Sequence, residues 1–213
     1  MKKAVIWDLD GTLFDSYDVI VESIELALKE NGVHMHTQQI HQHAIEFSIK
    51  SLLAEVSQHE GIPVEVLSQA YSRISTGKYL EIKAMRNAAV CLHSLAQSGV
   101  ENYVFTHRGR TTVPVLENLK MSGCFKEVVT SQNGFARKPN PEGLLYIIDK
   151  YNLDKDGTYY VGDRSLDMDC ARNAGISGIL FLPPGSIDVS GGSERYIIKD
   201  LLDVLKILGE YCS

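Results

Sequence analysis

The residues best suited to chemistry are acids at short spacing. Asp8-Leu9-Asp10-Gly11-Thr12 places two carboxylates at i and i+2, which leave an extended segment on the same side. Such a pair can share a hard cation, and one acid can attack as a nucleophile while the other handles protons. An isolated D-x-D is equally well read as two solvated loop acids before a turn glycine, but the five-residue string is much rarer by accident. The second group is Thr106, ahead of His107-Arg108-Gly109-Arg110. A hydroxyl and free backbone N–H groups before a helix make an oxyanion cradle, although Thr106 alone reads more simply as a helix cap beside surface arginines. Third comes Arg137-Lys138-Pro139-Asn140-Pro141-Glu142-Gly143, a lysine in a loop restricted by two prolines, with a helix beginning at once. It suits a fixed cation for phosphate, whereas a lone lysine is more often a solvated charge. The fourth is Gly162-Asp163-Arg164-Ser165-Leu166-Asp167. There one acid could bind metal and the other orient it, against the plainer reading of an N-cap with first-turn acids, which is all that Asp169 requires.

These groups must be held by something, and the apolar rhythm says what. Ala4 to Leu9 is a short β-branched and aromatic run that empties into the Asp8–Thr12 string, a buried strand ending in a loop. Helical spacing then dominates from Tyr17 to about Arg86, with helices expected over Tyr17 to Asn31, Ile40 to Phe47, Ser51 to His59 and Val64 to Ile74. After about Asn87 helices and strands alternate. Strands are expected at Tyr103 to Thr106, Glu127 to Thr130, Thr158 to Val161 and Gly178 to Leu182, the last of the sheet. Helices are expected at Val90 to Gln97, Thr112 to Met121, Pro141 to Tyr151, Leu166 to Ala174 and Asp200 to Gly209. Alternation of this kind implies an α/β fold, a Rossmann-like parallel sheet with helices on both faces, interrupted by an inserted helical domain. The expected division is 1–14 with 87–213 as the core and 15–86 as the insert. Ligands of an open parallel sheet bind beyond the carboxyl ends of its strands, and all four chemical groups fall at such ends.

Composition narrows the partners. Of 213 residues, 21 are Lys or Arg and 27 Asp or Glu, a net charge of −6 that disfavours nucleic acid. Cys91, Cys124, Cys170 and Cys212 lie far apart with no C-x-x-C, which argues against a disulfide framework or a structural zinc and fits a reducing cytoplasm. The run Met1 to Trp7 is cut off by Asp8 and Asp10 before it could serve as a signal peptide, and no later apolar stretch is long enough to span a membrane. Histidines at 34, 36, 41, 43 and 59 crowd the insert, but H-x-H spacing does not put both rings on one helix face, so polar surface explains them better than a metal site. Three acids among oxygen donors at the strand ends suit Mg²⁺ better than zinc.

With the four groups in this order, and a helical insert after the first, the whole chain resembles the haloacid dehalogenase superfamily of phosphohydrolases, and most closely its phosphoglycolate-phosphatase-like members. The resemblance implies that Asp8 is the nucleophile, that Asp10 is the general acid and base and binds Mg²⁺ through its backbone carbonyl, and that Thr106 and Lys138 hold the phosphate. It further implies that Gly11, Thr12 and His107 line the phosphate, that Asp8 and Asp163 ligate the metal with Asp167 in support, and that the insert is a cap. Many relatives carry Asn where this chain has His107, whose backbone can still serve. The expected reaction is hydrolysis of a small phosphorylated metabolite through an aspartyl-phosphate, with neither nucleic acid nor membrane as partner; the oligomeric state is not specified. Within the same fold a phosphosugar mutase or a phosphonatase is an alternative, as is a noncatalytic phosphate-binding regulator. A pure acceptor, however, needs neither Asp10 nor a lid.

Overall fold

The structure is a computed structural model that describes residues 3–187 and 189–209. Cys212 lies outside the described residues. In chain order the elements are β1 (Ala4–Trp7), β2 (Phe14–Asp15), α1 (Tyr17–Glu30), α2 (Thr37–Glu46), α3 (Ile49–Glu60), α4 (Val64–Lys78), β3 (Lys83–Ala84), α5 (Ala88–Gln97), β4 (Glu101–Phe105), α6 (Thr112–Asn118), β5 (Glu127–Val129), α7 (Glu142–Tyr151), β6 (Thr158–Gly162), α8 (Ser165–Ala174), β7 (Ser177–Phe181), β8 (Tyr196–Ile198) and α9 (Asp203–Ile207). They separate into two compact units, 1–15 with 84–213, and 16–83.

The first unit is built on a sheet of order β5-β4-β1-β6-β7-β8 in which every neighbouring pair is parallel. This is the Rossmann-like α/β architecture that the alternating pattern predicts. All four β1 residues are buried, as a central parallel strand covered on both faces requires. Its side chains alternate. Ala4 and Ile6 join Tyr103, Phe105 and Tyr160 under Leu144, Ile147 and Ile148 of α7 and Cys170 and Ala171 of α8. Trp7 faces the other way, where its indole N–H donates to Asn102 Oδ1 at 2.9 Å and Asn102 in turn donates to the Leu92 carbonyl of α5. Each fully buried aliphatic or aromatic side chain in these layers is worth about 1.5–3 kcal/mol.

A short strand, β3, appears in the stretch expected to be helical, α6 stops at Asn118, three residues early, and two expectations near the chain's end change. The sheet does not end at β7, because β8 pairs beside it. Its three residues lie at an edge with one of them half exposed, too short a segment to show a period of two. The last helix covers only Asp203–Ile207, since Leu201 and Leu202 form a turn stapled by the Asp200 carboxylate, which accepts from Leu202 N–H at 2.9 Å.

The second unit is helical. Ile20, Ile24 and Leu28 of α1 share an apolar interior with Ile40, Leu52, Leu53, Val56 and Leu67, one from α2, three from α3 and one from α4. Ser48 caps α3 by accepting the Ser51 N–H, and Gly61 ends it in the left-handed region, at φ 71°, where glycine meets no steric penalty.

Candidate active site

Register places the chemical groups side by side. Trp7 is level with Val104 on one flank and Val161 on the other, so β1, β4 and β6 end together and deliver Asp8, Thr106 and Asp163 to one rim. The ladder runs one residue further, with Asp8 N–H bonded to the Val161 carbonyl at 2.8 Å and Thr106 N–H to Val129 at 3.0 Å, so the backbone of both residues is fixed by the sheet itself.

Lys138 reaches this rim from the loop before α7. Its side chain is completely buried, and its Nζ stands 3.0 Å from Asp8 Oδ1 and 2.8 Å from Asp167 Oδ1. It also lies over the rings of Phe105 and Tyr160, at 5.3 and 5.2 Å from their centroids. Burial works against the ammonium, but the carboxylates of Asp167 and Asp8 outweigh it and hold the Lys138 pKa above the ordinary lysine value. The lysine is therefore a fixed cation. Tyr160 supports it from below, its hydroxyl donating to the Phe105 carbonyl at 3.0 Å and standing 3.3 Å from Asp167 Oδ1. Burial, with the charges of Asp167 and Asp8, pushes the phenol far above its usual pKa, so it remains a donor.

Asp8, Asp163 and Asp167 each offer a carboxylate oxygen within 4.8 Å of the others, all three buried. Such a concentration of like charge needs positive charge beside it, to which Lys138 and Arg164, whose Nη2 lies 3.6 Å from Asp8 Oδ2, contribute. Asp8 Oδ2 is buried and accepts no hydrogen bond. An all-oxygen, acid-rich donor set with an unused lone pair fits a hard divalent cation. Asp167 also accepts the Arg164 backbone N–H at 3.2 Å, and Asp163 accepts the Thr12 hydroxyl at 3.2 Å. Asp167 needs close backbone approach from β6: a Cβ on Gly162 would lie 2.5 Å from the Asp167 Cβ, so this position has room only for glycine.

The remaining candidates divide. Thr106 Oγ accepts the Arg108 N–H at 3.1 Å, which leaves the hydroxyl proton to donate to a ligand. Gly11 and Thr12 direct their N–H groups inside the loop, to the Phe14 and Leu9 carbonyls, so they shape the turn after Asp8 instead of presenting amides to a phosphate. The Asp10 carboxylate stands outside the acidic cluster, paired with Arg108 Nη1 at 2.7 Å. His107 contributes a ring nitrogen that accepts the Lys138 backbone N–H at 2.9 Å. Sequence reasoning did not find that bond, the Arg108 pair, or the Phe105–Tyr160 cradle, because strand aromatics read as core and the Arg108–Asp10 partners are 98 positions apart.

A parallel α/β sheet whose central strand ends gather acids, a hydroxyl and a buried lysine has the groups that can hold an anion and a hard cation side by side. The chain belongs to the haloacid dehalogenase-like hydrolase family, whose model matches residues 5–181. It is 27% identical to a phosphoglycolate phosphatase of Aliivibrio fischeri over 183 residues, 81% of each protein. It is 24% identical to a pyrophosphatase of Bacillus velezensis over 97% of this chain and 96% of that one. A crystal structure of a hydrolase from Pseudomonas syringae superposes with a TM-score of 0.77 at 25% identity, covering both chains completely. Similarity to phosphoglycolate-phosphatase-like proteins is thus borne out. Among the described residues no helix is long and apolar enough to cross a membrane.

Proposed function

We propose that the protein is a Mg²⁺-dependent phosphatase that cleaves small phosphate monoesters through an aspartyl-phosphate on Asp8, in the cytoplasm, with residues 16–83 acting as a lid. The observation that carries the reading is the buried Lys138 ammonium held between Asp8 and Asp167, beside an Asp8 oxygen that accepts no hydrogen bond. A cation so placed is of little use to an empty fold and of great use where charge develops on a transferring phosphoryl group.

Asp8, the Asp10 backbone carbonyl and Asp163 would hold the metal, with Asp167 in support. When bound, Mg²⁺ supplies positive charge that offsets the repulsion between a phosphate dianion and a carboxylate. The protein does the rest. Thr106 and Lys138 hold the phosphoryl oxygens while an Asp8 oxygen attacks phosphorus. The bond from phosphorus to the ester oxygen breaks, and the departing alkoxide takes a proton from Asp10, whose carboxyl would have left its Arg108 partner and taken up that proton from solvent as the substrate binds. Water then attacks the aspartyl-phosphate, Asp10 takes up the proton, and inorganic phosphate leaves with the Asp8 carboxylate restored.

The leaving group is read by the lid, because the strand-end groups address only what all phosphomonoesters share. Phosphoglycolate heads the substrate panel and pyrophosphate follows, since relatives carry those names. The deciding experiment is an initial-rate screen over such a panel with and without Mg²⁺. Turnover should require the metal; turnover that survives exhaustive chelation overturns the metal assignment.

A further inference from the structure

His107 occupies the position directly after the phosphate-holding hydroxyl, and its side chain turns away from that hydroxyl to bond the lysine loop. Nε2 accepts the Lys138 backbone N–H at 2.9 Å, and the ring stands edge-on to Phe105, with centroids 5.9 Å apart and planes at 87°. We propose that His107 is a positioning residue: Nε2 pins the backbone of Lys138, and so fixes where its ammonium stands between Asp8 and Asp167.

The loop needs such a pin. Pro139 has no N–H, so the amide of Lys138 is the last donor before the turn, and nothing nearer the ammonium can anchor the chain from the donor side. Its other ties run to different elements: the Pro139 carbonyl accepts from Asn173 at 3.0 Å, the Asn140 carbonyl accepts the Cys170 thiol at 3.3 Å, and the Ala136 N–H donates to Glu142 at 2.7 Å. These hold the loop to α8 and to the start of α7. The His107 bond ties it instead to the residue after Thr106, and so couples the backbones of the two groups assigned to the phosphate. A lysine side chain has many rotamers to lose, and a misplacement of about 1 Å at a reacting centre can cost ~10²-fold.

An accepting Nε2 puts the ring hydrogen on Nδ1, and the bond survives only while the ring is neutral. Its surroundings secure that: burial first, then the positive charges of Lys138, Arg137 and Arg164, against a smaller opposing pull from Asp167, bring the His107 pKa down to about 3. The geometry also says which replacement can substitute. From Cβ, the amide oxygen of Gln lies as many bonds out as Nε2, while that of Asn lies one bond short.

The proposal rests on the phosphatase reading, and its test separates the two. With 4-nitrophenyl phosphate and Mg²⁺, His107→Ala and His107→Asn should each lower kcat by about 10–100-fold with KM changed less than about 3-fold, and His107→Gln should return kcat to within about 3-fold of the parent. Equal rates for the Asn and Gln variants, or a loss confined to KM, would overturn the pin. Independently of turnover, the side-chain ¹H–¹⁵N spectrum of the parent, assigned by the signal missing in His107→Gln, should show the Nδ1–H tautomer, neutral at pH 5. An Nε2–H tautomer or an ordinary titration near 6.5 overturns the pin even in an active enzyme. The expected tautomer in a protein without phosphatase activity would sink the phosphatase reading alone.

Discussion

The strand-end site and the helical insert are held together by opposite means. Around the site the buried residues include Asp8, Thr12, Thr106, Lys138, Asp163 and Asp167: Lys138 pairs with Asp8 and Asp167, Thr12 donates to Asp163, and Thr106 accepts the Arg108 N–H. In the insert the interior is apolar, and the buried polar residues there are Ser16 and Ser23. Its charges pair at the surface instead, as in Lys78 with Glu22 at 2.8 Å. Exposed pairs contribute about 0–1 kcal/mol, whereas removing one member of a buried pair costs about 3–5 kcal/mol because the other charge is stranded. Each polar residue of the site is therefore specified by its neighbours, while those of the insert can vary with little penalty. That freedom is what the lid role proposed for the insert would require.

The sharpest break of this comparison is Asp8→Asn. The amide keeps the shape and cannot attack, so turnover of 4-nitrophenyl phosphate should fall by at least about 10⁴-fold with the fold intact by circular dichroism. Wild-type rates would make Asp8 a structural acid. Next is Asp10→Asn, which keeps the backbone carbonyl and loses the proton donor. The rate should drop by about 10²–10⁴-fold, most for poor leaving groups. A loss equal across leaving groups contradicts the acid role. Lys138→Met tests burial directly. It should cost about 10²–10³-fold in kcat and about 3–5 kcal/mol in urea denaturation, as Asp8 and Asp167 lose their shared cation. If stability were unchanged, the buried network would not be holding the site.

The same contrast accounts for what could be read from the sequence. Asp8, Asp163 and Lys138 were legible because packing alone does not call for acids where an apolar strand ends, or for a lysine in a proline-restricted loop. The insert was legible as helices because its interior follows the 3.6 period. Tyr160 and Phe105 were not, since an aromatic in a strand looks the same whether it fills space or faces an ammonium. The acceptor role of the His107 ring depends on a fold that brings positions 31 apart into contact, and no local pattern records it. Strand β8 escaped because three residues carry no period.

Acid should separate the two regions as well. His107 is neutral when folded, with a pKa near 3, and ordinary when unfolded, near 6.5. Below pH about 6.5 the unfolded chain therefore binds a proton that the folded chain refuses, so stability falls as pH drops toward about 3 and is fully present above 6.5. Allowing for partial solvent screening, the contribution is on the order of 1 kcal/mol. His107→Gln removes the titration. Its stability relative to the parent should improve between pH 7 and pH 4.5 in urea denaturation, and a constant difference would show that the ring is not held neutral.

The smallest effect expected is in the insert, and it tests the other half of the comparison. Helix α4 has Leu67 as its fully buried residue, with Tyr71 partly buried against the same interior. A helix so sparsely anchored could depend on its ion pairs to α1, one of which joins Arg73 to Glu30 across the surface. Both side chains are largely exposed, at 64% and 48%, so water and salt screen the attraction and two long side chains lose rotamer freedom to maintain it. Arg73→Ala should accordingly cost only about 0.2–1 kcal/mol in urea denaturation, less still in 1 M salt, and leave turnover of 4-nitrophenyl phosphate unchanged. A cost above about 2 kcal/mol that salt does not reduce would mean that α4 is held by this pair as Asp8 is held by Lys138. The insert's surface would then be as constrained as the site, and leaving-group selection would have to be sought among the arginines of the strand-end loops, Arg108 and Arg164 first.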